Sequence, residues 1–317
     1  MINSFFFLAK KLYLLYTFRR GAFMKKIEVI GMPMKYGCMV EGADLAYSAL
    51  KNSLERTLNT KCNNEVDCTY ENAIEHKNDK VLKYVEPVME LNKRLYSNVY
   101  ENLNNNKKTL VVGGDHSIAI GSISATLDYH KGDISVIYID KHADIHTDKT
   151  SPSGNLHGIP LSVCIGRCDS RFDIGEYKLK PENLYYIGLS NFEIEEISYI
   201  QDNNICAFMD FEVEEKKAEW IVKEIMKKIN TKNVHISFDL DCMKETDFPA
   251  VNVAIEGIYQ DRGGLTFRMV KKILELLLIN LNVVSMDIVE YNPTLDKDLK
   301  CIEKVEDILL TIKENWK

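Results

Sequence analysis

An α/β fold with a mostly parallel sheet between two helical layers is what this chain predicts, and three observations carry it. Short apolar runs alternate with helix-like segments along most of the length, the pattern of strand–helix–strand units. Runs such as Ile134–Ile139 and Leu110–Val112 are continuously apolar or nearly so, which suits strands buried on both faces. Acidic and imidazole side chains gather where four of these runs stop, and strand ends are where an open α/β sheet puts its ligands.

The elements follow in order. Met24-Lys25-Lys26-Ile27-Glu28-Val29-Ile30-Gly31 reads as the natural start of a first strand, Lys26–Ile30. A helix is expected over Asp44–Thr57. The polar, Asn-rich stretch Asn59–Asp79 has no periodicity and reads as a long surface loop. A helix over Pro87–Asn104, a strand over Thr109–Val112, a helix over Ser117–Tyr129 and a strand over Ser135–Ile139 come next. Strands are then expected at Leu184–Ile187 and Cys206–Met209, around a helix at Glu193–Asp202. The helix expected over Glu214–Ile229 puts Ile221, Ile225 and Ile229 on one stripe with charges opposite. Val234–Phe238 and Val283–Ile288 are the last strands, with helices at Phe267–Leu281 and Ile302–Trp316. No Pro/Gly/Ser linker, repeat or low-complexity tract divides the chain, so residues 24–317 read as a single three-layer αβα domain.

The first 23 residues stand apart. Phe5 to Tyr16 is apolar but split by lysines, too short for a membrane span and lacking the order of a signal peptide. Residues 1–23 are expected to be a non-native or flexible extension; a targeting or membrane-surface helix is the alternative.

The chain has 317 residues, 45% of them hydrophobic, enough for one large core. Its 40 basic and 47 acidic side chains leave a net charge of −7, with no global attraction to nucleic acid or an anionic membrane. Eight scattered cysteines show no zinc-type pairing, so reduced thiols in a cytoplasmic protein are expected, with Cys164/Cys168 as a redox pair the alternative.

The chemistry sits at the strand ends. Val111-Val112-Gly113-Gly114 leads into Asp115-His116. Ile134–Ile139 leads into Asp140-Lys141-His142-Ala143-Asp144. Val234–Phe238 leads into Asp239-Leu240-Asp241, and Val283–Val289 into Glu290. Side chains at period two project from one face of an extended chain. His116, Asp140, His142, Asp144, Asp239 and Asp241 offer two imidazoles and four carboxylates, whose −4 matches two divalent ions. Such an oxygen-rich set without thiolate suits manganese, and two ions about 3.5–4 Å apart lower the pKa of a shared water towards 7. An aspartate at a strand end also serves as a helix N-cap, an alternative that fits Asp115.

Together with Ser151-Pro152-Ser153-Gly154-Asn155-Leu156-His157-Gly158-Ile159-Pro160 and Ser237-Phe238-Asp239-Leu240-Asp241, these clusters resemble the ureohydrolase family, and within it the arginases. The match runs in order from about Ile27 to Pro293. The resemblance implies an arginase-like fold and a binuclear manganese hydrolase, with two Mn2+ per subunit. His116 and Asp144 would bind one manganese, His142 and Asp241 the other, and Asp140 and Asp239 would bridge both. A metal-bridging hydroxide would attack the guanidino carbon, with Asp144 relaying a proton. His157 would shuttle a proton to the leaving amine, as a side chain with a pKa near 6.5 can. Glu290 would accept hydrogen bonds from the planar guanidinium. The expected reaction is L-arginine plus water to L-ornithine and urea. The alternatives are an agmatinase or other amidinohydrolase, and a catalytically silent binding or regulatory subunit. The resemblance also implies a small guanidino substrate and a homotrimer or homohexamer.

The departures from the family pattern concern the substrate. Lys141 replaces an alanine. His146 stands where the family has an asparagine that touches the substrate α-carboxylate, while Ser153 and Asn155 still match that region. Glu193 aligns with an aspartate that helps hold the α-amino group. After Asp241 the chain reads Cys242-Met243-Lys244-Glu245 and Val251-Asn252-Val253-Ala254, with an insertion near Tyr259–Arg262, all departures from the family. A site built for hydrogen bonds discriminates strongly among analogues, so these changes bear on specificity.

Overall fold

The computed structural model describes residues 26–38, 40–77, 82–251 and 263–317. The expectation for residues 1–23 and the insertion near Tyr259–Arg262 lie outside them. Eight strands form one sheet: β1 (Ile27–Gly31), β2 (Asn64–Glu65), β3 (Lys108–Val112), β4 (Ile134–Ile139), β5 (Leu184–Leu189), β6 (Cys206–Met209), β7 (Asn233–Asp239) and β8 (Val283–Val289). Their spatial order is β2-β1-β3-β8-β7-β4-β5-β6, and every neighbouring pair is parallel. The four strands that end in acidic clusters, β3, β8, β7 and β4, are therefore adjacent at the centre of the sheet.

Nine helices are described: α1 (Ala46–Leu58), α2 (Val85–Asn104), α3 (Ala119–Tyr129), α4 (Pro160–Ile165), α5 (Ile194–Asp202), α6 (Asp210–Lys216), α7 (Ala218–Lys228), α8 (Phe267–Asn280) and α9 (Lys300–Asn315). Strand side chains alternate between two apolar layers, as the pleat requires. In β4, Ile137 and Ile139 join the layer with Leu50 of α1, Ile221 of α7, Ile273 of α8 and Ile308 of α9. Val136 and Tyr138 join the opposite layer, with Leu95 of α2, Ile123 of α3 and Leu161 of α4. This is the expected three-layer α/β architecture.

Two local readings are corrected, and one short helix is added. The helix expected over Glu214–Ile229 is two helices, α6 and α7, broken at Lys217, whose φ of 71° is left-handed. A lysine carries no breaker signal, and the isoleucine stripe begins only after the break, at Ile221, so periodicity cannot see it. The loop expected over Asn59–Asp79 contributes the edge strand β2, paired to β1 through Ile30 and Asn64. Two polar residues held only by backbone bonds leave no pattern. The short helix α4 opens on Pro160, whose fixed φ suits a first helical turn.

The C-terminus is anchored by Trp316, which is buried and donates from its indole Nε1 to the Val283 carbonyl at 2.7 Å. Trp316→Ala is expected to destabilise the fold by about 3–5 kcal/mol, the range for truncating a buried large aromatic. Denaturant unfolding checks this, with a loss under about 1 kcal/mol contradicting the anchoring role. Among the described residues no helix is long and apolar enough to cross a membrane, and all eight cysteines are free.

Candidate metal centre

The chain leaves β3 through Gly113 and Gly114, both at positive φ. A Cβ on Gly114 would lie 2.6 Å from the Met32 carbonyl oxygen, so only glycine lets the turn pass there. Asp115 then serves the backbone. Its Oδ1 accepts the Ser117 amide at 3.0 Å and its Oδ2 the Gly37 amide at 2.9 Å, the N-cap alternative raised above. This cap starts the turn that carries His116 inward.

The six expected ligands come together. His116 Nδ1 lies 3.0 Å from Asp140 Oδ2, 3.0 Å from Asp239 Oδ2 and 3.3 Å from Asp144 Oδ2. His142 Nδ1 lies 3.1 Å from Asp241 Oδ2 and 3.5 Å from Asp140 Oδ1. Asp140 thus presents one oxygen to each histidine. Two groups able to hold a metal ion result, His116/Asp140/Asp144 and Asp140/His142/Asp241, sharing that carboxylate. Asp239 also takes the Asp241 amide on Oδ1, at 2.7 Å.

The electrostatics match a cation site. Asp239 is pushed well above the ordinary carboxylate range by burial, then by the charges of Asp241 and Asp140. Burial and the charges of Asp241 and Asp144 raise Asp140 likewise. Burial opposes the charge on Asp241 too, but the cations of His142 and Lys141 hold it below the ordinary range. Lys141 is itself buried, and this is the structural effect of that departure. Asp140 Oδ2 and Asp241 Oδ1 are buried and receive no hydrogen bond. Crowded buried carboxylates with unsatisfied oxygens are relieved by positive charge, so the donor set fits two hard divalent ions.

Two of these side chains sit on strained backbone. Asp144 has φ 48° and Glu290 has φ 65°, the left-handed region that costs about 1–2 kcal/mol for a residue with a Cβ. Glu290 is held by its own amide, which donates to the Gly114 carbonyl at 3.0 Å. Its Oε1 accepts the His116 amide at 2.8 Å. Glu290 therefore lies directly beside the candidate ligands.

His157 stands across from it, its Nδ1 3.5 Å from Glu290 Oε1. The His157 amide donates to the Gly37 carbonyl at 3.1 Å, which fixes the turn. Burial disfavours the His157 cation, but hydrogen bonds to Cys38 and Glu290 and their charges raise its pKa well above 6.5. Ser153 and Asn155 lie in the loop that precedes His157. Ser153 Oγ accepts the Asn155 amide at 3.2 Å, and Asn155 Oδ1 accepts Lys83 Nζ at 3.2 Å.

His146 and Glu193 pair directly, Nε2 to Oε2 at 3.1 Å, and Thr150 Oγ1 meets His146 Nδ1 at 3.1 Å. The His146 hydrogen bond, then one from Glu196, pulls Glu193 down to about 2. Glu196 was not foreseen. It takes the amides of Ile145 and Glu193, closing the N-terminus of α5 as a capping box, and burial raises its pKa to about 8. The Glu-x-x-Glu spacing was the available signal. Tyr138 was also missed. It donates to Asp144 Oδ2 at 2.8 Å, and its ring stacks on His116 at 4.6 Å and 3°. A tyrosine inside an apolar run reads as core. Beyond Asp241, Lys244 donates its amide to the Leu265 carbonyl and Val251 bridges Tyr291; residues 252–262 are outside the described set.

Comparisons with known proteins give the family. The Arginase family model matches residues 25–311. Arginase from Bacillus subtilis (strain 168) is 33% identical over 302 residues, 90% of this chain and 98% of that protein. Arginase from Staphylococcus aureus (strain MRSA252) is 31% identical over 284 residues, 86% and 91% of the two chains. The solved structure of arginase from Bacillus caldovelox superposes with a TM-score of 0.83 at 29% identity, covering 92% of this chain and 98% of that one. The chain belongs to the arginase family and is a hydrolase acting on guanidino or amidine bonds.

Proposed function

We propose that this chain is a manganese-dependent arginase, converting L-arginine and water to L-ornithine and urea. The observation that carries the reading is Asp140, whose two oxygens each face a different histidine and so define two adjoining ion positions. His116, Asp144, His142 and Asp241 would complete the two ligand sets, with Asp140 and Asp239 between them. Two bound manganese ions would lower the pKa of a shared water towards 7 and so supply the nucleophile. Glu290 orients the guanidinium, because a carboxylate meets two parallel N–H donors of that planar group. Asp144, already hydrogen-bonded to Tyr138, relays a proton. His157, whose pKa is raised by its contacts with Cys38 and Glu290, delivers a proton to the leaving amine. Ser153, Asn155, His146 and Glu193 define the far end of the substrate. We place the enzyme in the cytoplasm as a homotrimer or homohexamer, with no nucleic-acid or membrane partner.

A second reading, agmatinase or another amidinohydrolase, is favoured by His146. Its ion pair with Glu193 satisfies that carboxylate within the protein, which alters the far end relative to the family pattern. Urea release with manganese, measured in parallel on arginine and agmatine, decides between them. Urea from arginine is expected. Urea from agmatine alone would select the second reading. No urea from any guanidino compound at full metal occupancy would indicate a silent family member.

A further inference from the structure

On the face covered by α3, β7 and β8 bury His235, Ser237 and Asp287 completely. Asp287 carries a negative charge: burial opposes it, but the hydrogen bond and charge of His235 hold it below the ordinary carboxylate range. A carboxylate has acceptors only. Asp287 Oδ2 accepts from His235 Nε2 at 2.9 Å and from Ser122 Oγ at 2.6 Å, and Oδ1 accepts from Ser237 Oγ. Ser237 has one hydroxyl hydrogen, and it goes to Asp287. Toward His116 Nε2, at 2.9 Å, Ser237 can then only accept. His116 Nε2 must carry a hydrogen, and the ring's other nitrogen, Nδ1, is the one that faces Asp140, Asp144 and Asp239.

We propose that Asp287, acting through Ser237, is a positioning residue that fixes His116 in the metal-binding tautomer and orientation. His235 and Ser122 hold the carboxylate in place at the other end of the chain of hydrogen bonds. Partners of this kind behind a ligating histidine change metal affinity by about 10–100-fold when removed. The proposal rests on the two-metal reading of the site.

The test is chelator-competition titration of the full chain with manganese. In Ser237→Ala, one of two equivalents is expected to bind about 10–100-fold more weakly, and the other as in the unmodified protein. Ser237→Thr keeps a hydroxyl and is expected to restore the affinity. Ser285→Ala is the control: Ser285 lies buried on β8 and its hydroxyl has no hydrogen-bond partner among the described residues, so both equivalents should stay unchanged. The proposal is overturned if Ser237→Ala binds both ions as tightly as the unmodified protein, loses both equally, or fails to fold. It is also overturned if Ser285→Ala loses as much. An unmodified protein that binds fewer than two ions would instead remove the two-metal reading.

Discussion

Asp239→Ala is expected to abolish turnover, by at least about 10³-fold, and to lower bound manganese below two equivalents per chain. Losses of that order follow when preorganised electrostatic stabilisation is removed from a water-excluded site. The same variant should not weaken the metal-free fold. Burial, then the charges of Asp241 and Asp140, push the Asp239 pKa far up, so its removal relieves desolvation and repulsion. The metal-free melting temperature should hold or rise, while the increment that added manganese gives the unmodified protein shrinks. Metal analysis with thermal melts, with and without manganese, reads both halves. A variant that keeps two tightly bound ions would remove Asp239 from between them.

The second large effect is expected at His157. His157→Ala should lower kcat about 10²–10⁴-fold, the usual contribution of a positioned general acid or base, with metal content unchanged. The direction of its pKa shift adds a pH signature. Because Cys38 and Glu290 hold the proton on His157 above the ordinary imidazole range, the unmodified enzyme should lose rate only as pH rises past that raised value. The variant should lose this alkaline limb, and added imidazole should recover part of the rate. Loss of metal from the variant would mean that His157 belongs with the ligands.

The central strands and the cluster of candidate ligands were legible because both are written in short-range pattern. Buried parallel strands need unbroken apolar runs, and Asp140, His142 and Asp144 follow one of them directly at a spacing of two, so they announce themselves. Other parts are set by contacts that no local spacing encodes. The left-handed Lys217 breaks a helix with no glycine or proline to mark it. Tyr138 looks like core until its ring is found stacked on His116. Ser237 and Asp287, 50 residues apart in sequence, meet only because β7 and β8 are neighbours in the sheet. The family pattern assigned His146 and Glu193 to two different groups at one end of a substrate, the α-carboxylate and the α-amino group, whereas here they bond to each other.

The strand order has a consequence for how the chain folds. β8 is the last strand in sequence, yet it sits between β3 and β7. Until it inserts, β3 and β7 are both open edges, apolar and able to pair with other chains. Closing that gap brings together segments as far apart as His116 and Glu290, 174 residues in sequence, and such distant pairing is slow. No nascent fragment that stops short of β8 can assemble the site. Manganese affinity is therefore expected to appear last during refolding, and the partly folded chain is where aggregation competes with enzyme.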